Sequence, residues 1–201
     1  MLIMQNVVNA IEELKTQTKD QLRAIETGTI RSYNEKHEST KHISNTLGNR
    51  GTLISIDISP KALAISKSIC ARCKNITWVQ SDSIKYLNQV QGDFDFVFLD
   101  SKNNAQTIWE EFCAIIPKIK PDGILIIDDA GIKSNGEKID NSVPAKKAHL
   151  VWSKLKDIIP IKILKSAHGT QLRIDLSEKT LNKIKNMSEV KYPLIEASSH
   201  E

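Results

Sequence analysis

The sequence predicts a doubly wound α/β fold built on a mostly parallel sheet. Short apolar segments alternate with segments of helical periodicity along the 201 residues, a pattern typical of strands joined by crossover helices. Two segments, FDFVFL (94–99) and ILII (124–127), are almost wholly apolar, as expected of central strands covered on both faces. The length suits one domain. We therefore expect a single domain over 1–201, with an N-terminal helix (1–20), a core (21–176) and a C-terminal extension (177–201).

Residues 3–17 carry apolar side chains at helical spacing, which predicts an amphipathic helix before the first strand. Strand and helix patterns then alternate four times. Ser59 followed by Pro60 is a strong helix start, since the two residues suit the N-cap and the first helical position. The predicted strands are 21–27, 51–57, 75–80 and 94–100, and the helices that follow them are 39–48, 59–73, 82–90 and 104–120.

The last part of the core ends in a reversed strand. A PDG turn (121–123) precedes a strand at 124–129, and a polar loop at 131–144 leads to a helix at 145–158. Only Ala167, His168 and Gly169 separate strand 161–166 from strand 170–176. That connection is too short for a crossover helix, so these two strands must pair antiparallel. We expect seven strands with the last one reversed, helices on both faces, and a short helix near Leu181.

Composition and charge exclude several classes of function. The net charge is +4, from 28 basic and 24 acidic residues, and Lys and Glu are interspersed rather than gathered in the basic stripe of a nucleic-acid binder. No apolar run reaches the length of a membrane span, and the first twenty residues lack the features of a signal peptide. We therefore expect a cytoplasmic protein that binds neither nucleic acid nor membrane. The apolar stripe of the N-terminal helix would cover either the sheet or a second copy in a homo-oligomer.

The three cysteines do not suggest a metal or disulfide site. Cys70 and Cys73 form a CARC sequence, the spacing of a redox pair or half a zinc site. The sequence contains no second pair, both residues lie in a helical pattern, and an odd count argues against a disulfide framework. We interpret them as ordinary thiols.

Carboxylates follow each of the first five predicted strands. Ligands of open α/β sheets bind outside the carboxyl ends of the strands, where the strand order reverses. A row of acidic groups on that edge predicts a polyhydroxylated or cationic ligand. The residues at the strand ends are Glu26-Thr27-Gly28-Thr29, Asp57, Asp82, Asp100 and Asp128-Asp129.

Several of these residues have a specific chemical role to offer. Gly28 lets the backbone approach a ligand where a Cβ would clash, and Asp57 can accept both hydroxyls of a ribose. Asp82 can accept a hydrogen bond from an adenine amine while the backbone N–H of Ser83 donates to the ring. Asp82 also suits a helix N-cap, and the two roles are compatible.

In this order, the motifs resemble those of the class I S-adenosylmethionine-dependent methyltransferases. IETGT resembles the first motif, ISIDIS the ribose-binding motif, QSDSIKYL the adenine-contacting segment, FDFVFLDS the fourth motif and PDGILIIDD the fifth strand. The resemblance covers about three quarters of the chain and implies a Rossmann-like fold that binds S-adenosylmethionine. It implies cofactor-binding roles for Glu26, Thr27, Gly28, Thr29, Ser39, Asp57, Ile58, Asp82, Ser83 and Asp100.

The first loop departs from the family's compact glycine-rich turn, because Gly28 is the only glycine before Gly48. The insertion TIRSYNEKHES (29–39) resembles the small-molecule O-methyltransferase subgroup. By that resemblance Ser39 would cap the next helix and reach the cofactor carboxylate, and Glu26 would lie near the cationic end of the cofactor. Arg31 or His37 would face the substrate or the carboxylate; a loop without ligand contacts is the alternative.

Asp100, Asp128 and Asp129 also resemble the magnesium ligands of catechol-type O-methyltransferases, which use an Asp after strand four and Asp-Asn after strand five. Carboxylate oxygens suit magnesium, which would lower the pKa of a substrate hydroxyl. This sequence has Asp-Asp instead. We therefore favour a site without metal, in which Asp100 contacts the cofactor and Asp128-Asp129 line the substrate mouth, and keep magnesium as the alternative.

The sequence favours methyl transfer to a small-molecule acceptor at an oxygen nucleophile. Asp129 is the preferred catalytic base from its position alone, ahead of His149 and His168, and loop 131–144 is the candidate substrate lid. A nicotinamide-dependent dehydrogenase would need G-x-G-x-x-G after the first strand, but GTIRSY lacks the second and third glycines. The remaining alternative is a non-catalytic module that retains the cofactor pocket.

Overall fold

A seven-stranded sheet with helices packed against both faces forms the core. The computed structural model describes residues 4–33, 38–132, 147–166 and 169–187. In chain order the helices and strands are α1 (Gln5–Gln17), β1 (Leu22–Thr27), α2 (Ser39–Leu47), β2 (Gly51–Asp57), α3 (Pro60–Ile69), β3 (Ile76–Gln80), α4 (Ser83–Gln89), β4 (Phe94–Leu99), α5 (Ala105–Ile115), β5 (Ile119–Ile127), α6 (His149–Leu155), β6 (Lys162–Ser166), β7 (Gly169–Leu176) and α7 (Glu178–Lys185).

The strand order is β3-β2-β1-β4-β5-β7-β6. Strands β1 to β5 pair in parallel, and β7 lies antiparallel to both β5 and β6. The predicted fold class is therefore confirmed, including the reversed last strand. Because β1 pairs with β2 on one side and with β4 on the other, the strand order reverses at β1. The crevice at the carboxyl ends of β1 and β4 is the expected ligand site.

Alternate residues of the central strands bury against opposite faces of the sheet. Phe96 and Phe98 of β4 join a core with α1 and α2, whereas Val97 and Leu99 join a larger core with α5, α6 and α7. Every residue of β4 is buried, as its apolar sequence predicted. Among the helices described, none combines the length and apolar character needed to cross a membrane.

Two predicted helices extended too far toward their C-terminal ends. Helix α3 ends at Ile69 rather than at residue 73, because residues 71–74 are mostly exposed and offer no buried face to hold another turn. Cys70 and Cys73 therefore lie just beyond the helix, and both are free thiols. Helix α5 ends at Ile115, and a short 3-10 turn containing Pro117 follows it. Proline lacks the N–H that would continue an α-helix.

The predicted PDG turn lies inside the bounds of β5. Ile119 pairs with Phe94 and Ile124 pairs with Phe96, so the register between the two strands shifts at this point. Asp122 adopts a φ of 66° there. The predicted turn before the strand was therefore wrong: residues 121–123 form an irregularity within a strand that starts five residues earlier than expected.

Gly28 joins the carboxyl ends of three strands. Its N–H donates to the Ile56 carbonyl of β2 at 2.8 Å, and the Asp100 N–H after β4 donates to the Thr27 carbonyl at 2.9 Å. Its φ is 84°, and a Cβ at this position would lie 2.4 Å from the Asp100 carbonyl oxygen. Only glycine fits this backbone conformation and this spacing.

Glu26 is a fully buried carboxylate near the end of β1. Its Oε1 accepts a hydrogen bond from Ser55 Oγ at 2.7 Å, while Oε2 has no hydrogen-bond partner among the described residues. Burial raises the pKa of Glu26 from its ordinary value of 4.5 to about 7, and the nearby hydroxyls of Thr40 and Ser55 offset part of this effect. Glu26 therefore binds its proton far more tightly in the folded than in the unfolded chain.

We predict that Gly28→Ala is much more destabilising than Gly48→Ala. Both glycines have positive φ, but a Cβ at Gly48 would meet nothing within 4 Å. Gly48→Ala should cost about 1–2 kcal/mol for the left-handed backbone alone, and Gly28→Ala should cost more because the Asp100 carbonyl must move. Urea unfolding of the two variants measures the difference; equal losses would contradict the close approach.

We predict that Glu26→Gln removes a pH-dependent loss of stability. The unfolded carboxyl ionises near pH 4.5 and the folded one near pH 7, so wild-type stability should fall as the pH rises through this window, by about 3 kcal/mol. Glutamine does not titrate, so the stability of the variant relative to wild type should rise over the same window. Urea unfolding at a series of pH values checks this, with the exposed Glu110→Gln as the control; a constant difference would refute it.

Candidate functional site

A cavity of about 450 Å³ opens at the carboxyl ends of β1 to β4. Five of the predicted cofactor-binding residues line it: Gly28, Asp57, Ile58, Asp82 and Ser83. The others do not. Glu26 and Thr27 are fully buried, Thr29 and Ser39 are nearly so, and Asp100 belongs to a neighbouring group of carboxylates.

Asp57 is held in place by backbone donors on two sides. Its Oδ2 accepts from the Thr29 N–H at 3.1 Å, and its Oδ1 accepts from the Ser59 N–H at 2.8 Å. Ser59 itself caps α3 by accepting from the Ala62 N–H at 3.2 Å, as its sequence predicted. A carboxylate oxygen has lone pairs for more than one donor, so Asp57 can also accept from ligand hydroxyls in the cavity.

Asp82 and Ser83 begin helix α4 at the far wall of the cavity. Asp82 is the N-cap and accepts from the Lys85 N–H at 2.9 Å, which confirms the capping role. Its side chain lines the cavity at the same time, so one carboxylate oxygen caps the helix while the other is available to a ligand.

Glu111 supports the cavity wall from beneath, a role that was not predicted from the sequence. It is fully buried on α5 and accepts from Thr27 Oγ1 at 2.9 Å and from Ser83 Oγ at 2.5 Å. Burial raises its pKa, and the hydroxyls of Ser101, Ser83 and Thr27 offset part of this rise. Its spacing from Ile108 and Ile115 places it on the buried face of the helix, a signal that was available in the sequence.

The first loop differs from the sequence prediction at the start of α2. Ser39 is the first residue of α2 rather than its cap; Glu38 occupies the N-cap position and makes no side-chain capping hydrogen bond. The predicted capping role of Ser39 was therefore wrong, since the helix starts one residue earlier than a Ser39 cap requires. Arg31 lines the cavity and donates to the carbonyl oxygens of Asp100 and Ser101. His37 lies outside the described residues.

Asp100, Asp128 and Asp129 form a carboxylate cluster beside this cavity. One oxygen from each lies within 4.8 Å of the others. The ammonium of Lys147, just before α6, pairs with Asp100 Oδ1 and lies 3.6 Å from Asp129 Oδ2. The Lys147 side chain is only 4% exposed. Lys147 was not among the predicted site residues, because the sequence pattern placed it within a helix at 145–158, whereas α6 begins at His149.

The carboxylates of the cluster have different environments. Asp128 Oδ1 accepts from Gln171 Nε2 at 2.8 Å, whereas the Asp129 side chain is 44% exposed on a backbone with φ of 45°. Burial raises the pKa of Asp100 to about 6, although the Lys147 ammonium offsets part of this effect. Asp129 is thus the most accessible carboxylate of the cluster that contacts Lys147.

The cluster offers hard oxygen ligands of the kind magnesium prefers. However, the Lys147 ammonium pairs with Asp100 Oδ1 and lies 3.6 Å from Asp129 Oδ2, so it would be a close neighbour of such an ion. A divalent ion and an ammonium repel each other strongly at these separations. The arrangement described here therefore does not fit a magnesium ion as it stands.

A larger cavity, about 550 Å³, lies at the opposite edge of the sheet, near Lys120, Asp122 and Asp175. It faces the amino ends of the parallel strands, where ligands of this architecture do not usually bind. Of the remaining candidates, His149 begins α6, while His168 and most of loop 131–144 lie outside the described residues. The lid role of that loop stays a prediction.

Comparison with known proteins agrees with this architecture. A family model described as a methyltransferase domain matches residues 38–130, which contain the cavity residues on β2 to β4 and the cluster residues after β4 and β5. No protein of curated function matches the sequence significantly.

Three solved structures illustrate the structural similarity. A Staphylococcus aureus protein assigned as a caffeoyl-CoA O-methyltransferase is 15% identical, with a TM-score of 0.64; the match covers 87% of this chain and 83% of that protein. The N-methyltransferase NodS of Bradyrhizobium japonicum shares 14% identity over 87% and 97%, with a TM-score of 0.58. MycE of the mycinamycin biosynthetic pathway, solved with Mg and S-adenosylhomocysteine, shares 19% identity over 86% and 49%, with a TM-score of 0.60. Residues 38–130 therefore match a methyltransferase-domain model, and the chain has the fold of these solved methyltransferases.

Proposed function

We propose that this domain transfers a methyl group from S-adenosylmethionine to an oxygen nucleophile of a small-molecule acceptor. The observation that carries the proposal is the convergence of Gly28, Asp57, Ile58, Asp82 and Ser83 on one cavity at the carboxyl edge of the sheet. These residues come from three separate loops, and the sequence motifs had assigned each of them to the cofactor independently.

Different cavity residues would contact different parts of the cofactor. Asp57 would accept the ribose hydroxyls, and Asp82 with the Ser83 N–H would contact the adenine. The exposed Ile58 side chain, with 67% of its surface accessible, would lose water against the adenine ring, which favours binding. Glu26 and Thr27 would act beneath the cavity, with Thr27 holding Glu111 rather than touching the ligand.

The carboxylate cluster would receive the acceptor. S-adenosylmethionine supplies an electrophilic methyl group, and the acceptor must lie in line with it and lose its proton. Asp129 is exposed at the edge of the cluster and would take the hydroxyl proton as general base. The neighbouring Lys147 ammonium would stabilise the Asp129 carboxylate and the negative charge that develops on the acceptor oxygen.

The structural relatives include O- and N-methyltransferases. An oxygen acceptor is favoured here because the Lys147 ammonium, next to Asp129, would stabilise the negative charge that develops on a hydroxyl oxygen as Asp129 takes its proton. Acceptor screening should therefore begin with phenols and other small hydroxyl compounds.

We predict that Asp57→Asn weakens binding of S-adenosylmethionine and S-adenosylhomocysteine by about 10- to 100-fold, because charge-assisted hydrogen bonds to the ribose are lost. Isothermal titration calorimetry measures this. Asp122→Asn is the matched control, since Asp122 lies at the opposite edge of the sheet. Thermal unfolding of Asp57→Asn shows whether the variant stays folded when the hydrogen bond from the Thr29 N–H is weakened. If folded wild-type protein binds neither ligand, the cofactor assignment is wrong.

We predict that Asp129→Asn lowers kcat/KM by about 10²- to 10⁴-fold, the usual contribution of a general base, with little effect on cofactor affinity. Asparagine tolerates the left-handed backbone of Asp129, so the fold should persist. Asp122→Asn again serves as control, because Asp122 also has positive φ. Cofactor binding without turnover on any acceptor would favour the non-catalytic module, and unchanged turnover in Asp129→Asn would refute the role of this residue.

A further inference from the structure

Lys147 is a buried lysine whose charge is balanced only by the carboxylate cluster, among the contacts that the described residues provide. Its side chain is 4% exposed, and burying an unpaired ammonium would cost several kcal/mol. Asp100 and Asp129 both lie within ion-pair distance of its Nζ. The cluster and the lysine therefore depend on each other for burial.

The backbone of Lys147 cannot easily withdraw from the cluster. The next residue, Ala148, is fully buried, and so is Val151 on the first turn of α6; both belong to the larger core. Pulling Lys147 out to solvent would expose these apolar side chains. The lysine is thus held at the cluster by the packing of α6 as well as by charge.

The opposite side of the cluster is also held in place. Gln171 Nε2 donates to Asp128 Oδ1 at 2.8 Å, and the Gln171 amide oxygen in turn accepts from Asn6 Nδ2 at 3.0 Å. This chain of hydrogen bonds orients Asp128 from β7 and α1. A divalent ion would require carboxylate oxygens that converge on it at about 2.0–2.6 Å, whereas Asp100 already pairs with the Lys147 ammonium, which also lies 3.6 Å from Asp129 Oδ2.

We infer that the Lys147 ammonium is the resident cation of the Asp100–Asp128–Asp129 cluster and takes the place that a divalent metal would otherwise occupy. Where the proposed function holds, methyl transfer at this edge then needs no bound metal. All three carboxylates are present, and the buried ammonium of Lys147 pairs with Asp100 and lies 3.6 Å from Asp129.

The test is Mn²⁺ binding, followed by electron paramagnetic resonance, to wild-type protein, Lys147→Met and Lys120→Met. Lys120 pairs with Asp95 at the opposite edge and controls for the loss of one lysine. Wild type and Lys120→Met should bind Mn²⁺ weakly and alike, whereas Lys147→Met should bind at least about tenfold more tightly, because the repelling charge is gone. Asp100→Asn added to Lys147→Met should abolish the gain.

Two results would overturn the inference. One is tight Mn²⁺ binding by wild type that disappears in Asp100→Asn; the other is a folded Lys147→Met that binds Mn²⁺ no better than Lys120→Met.

If Lys147→Met does not fold, acylation of lysines in wild type, read by mass spectrometry, decides the question. Excess Mg²⁺ should leave the protection of Lys147 unchanged, and increased labelling would mean that the metal displaces it. Neither measurement uses the cofactor or an acceptor. A failure of this inference can therefore be distinguished from a failure of the proposed function.

Discussion

The close approach of β1 to β4 at Gly28 is the constraint on which the site depends. Hydrogen bonds tie Gly28 to the end of β2 and tie Asp100 to the end of β1, with no room for a Cβ between them. The same turn brings the Thr29 N–H onto Asp57. One glycine therefore positions Asp57 in the cavity and Asp100 in the carboxylate cluster, on either side of the switch point.

Buried acids support this edge from below. Glu111 links β1 to the start of α4 through two hydroxyls, and Glu26 links β1 to β2 through Ser55. Burial raises the pKa of both carboxyls. Such groups are costly to bury unless they are hydrogen-bonded or protonated. Their presence under the cavity indicates that polar contacts, rather than apolar packing alone, set the geometry of the strand ends.

The charge balance of the carboxylate cluster distinguishes this protein from a simple magnesium site. Two of the three carboxylates, Asp100 and Asp129, lie within ion-pair distance of one buried ammonium, so the cluster stays negative overall while carrying a fixed positive group. Such an arrangement can hold a carboxylate base beside a cation that stabilises negative charge on an oxygen acceptor. The acceptor itself must be identified by screening.

The sequence by itself determined the alternation of strands and helices, the reversed last strand, and which carboxylates end which strands. Hydrophobic periodicity and connection length are local properties, so they can be read along the chain. Only the tertiary structure decided that Gly28 contacts Asp100, that Glu111 braces Ser83, and that Lys147 enters the carboxylate cluster. These contacts join residues 28 to 72 positions apart. Their geometry depends on how the strands align in the sheet and where α6 packs, which local patterns do not specify.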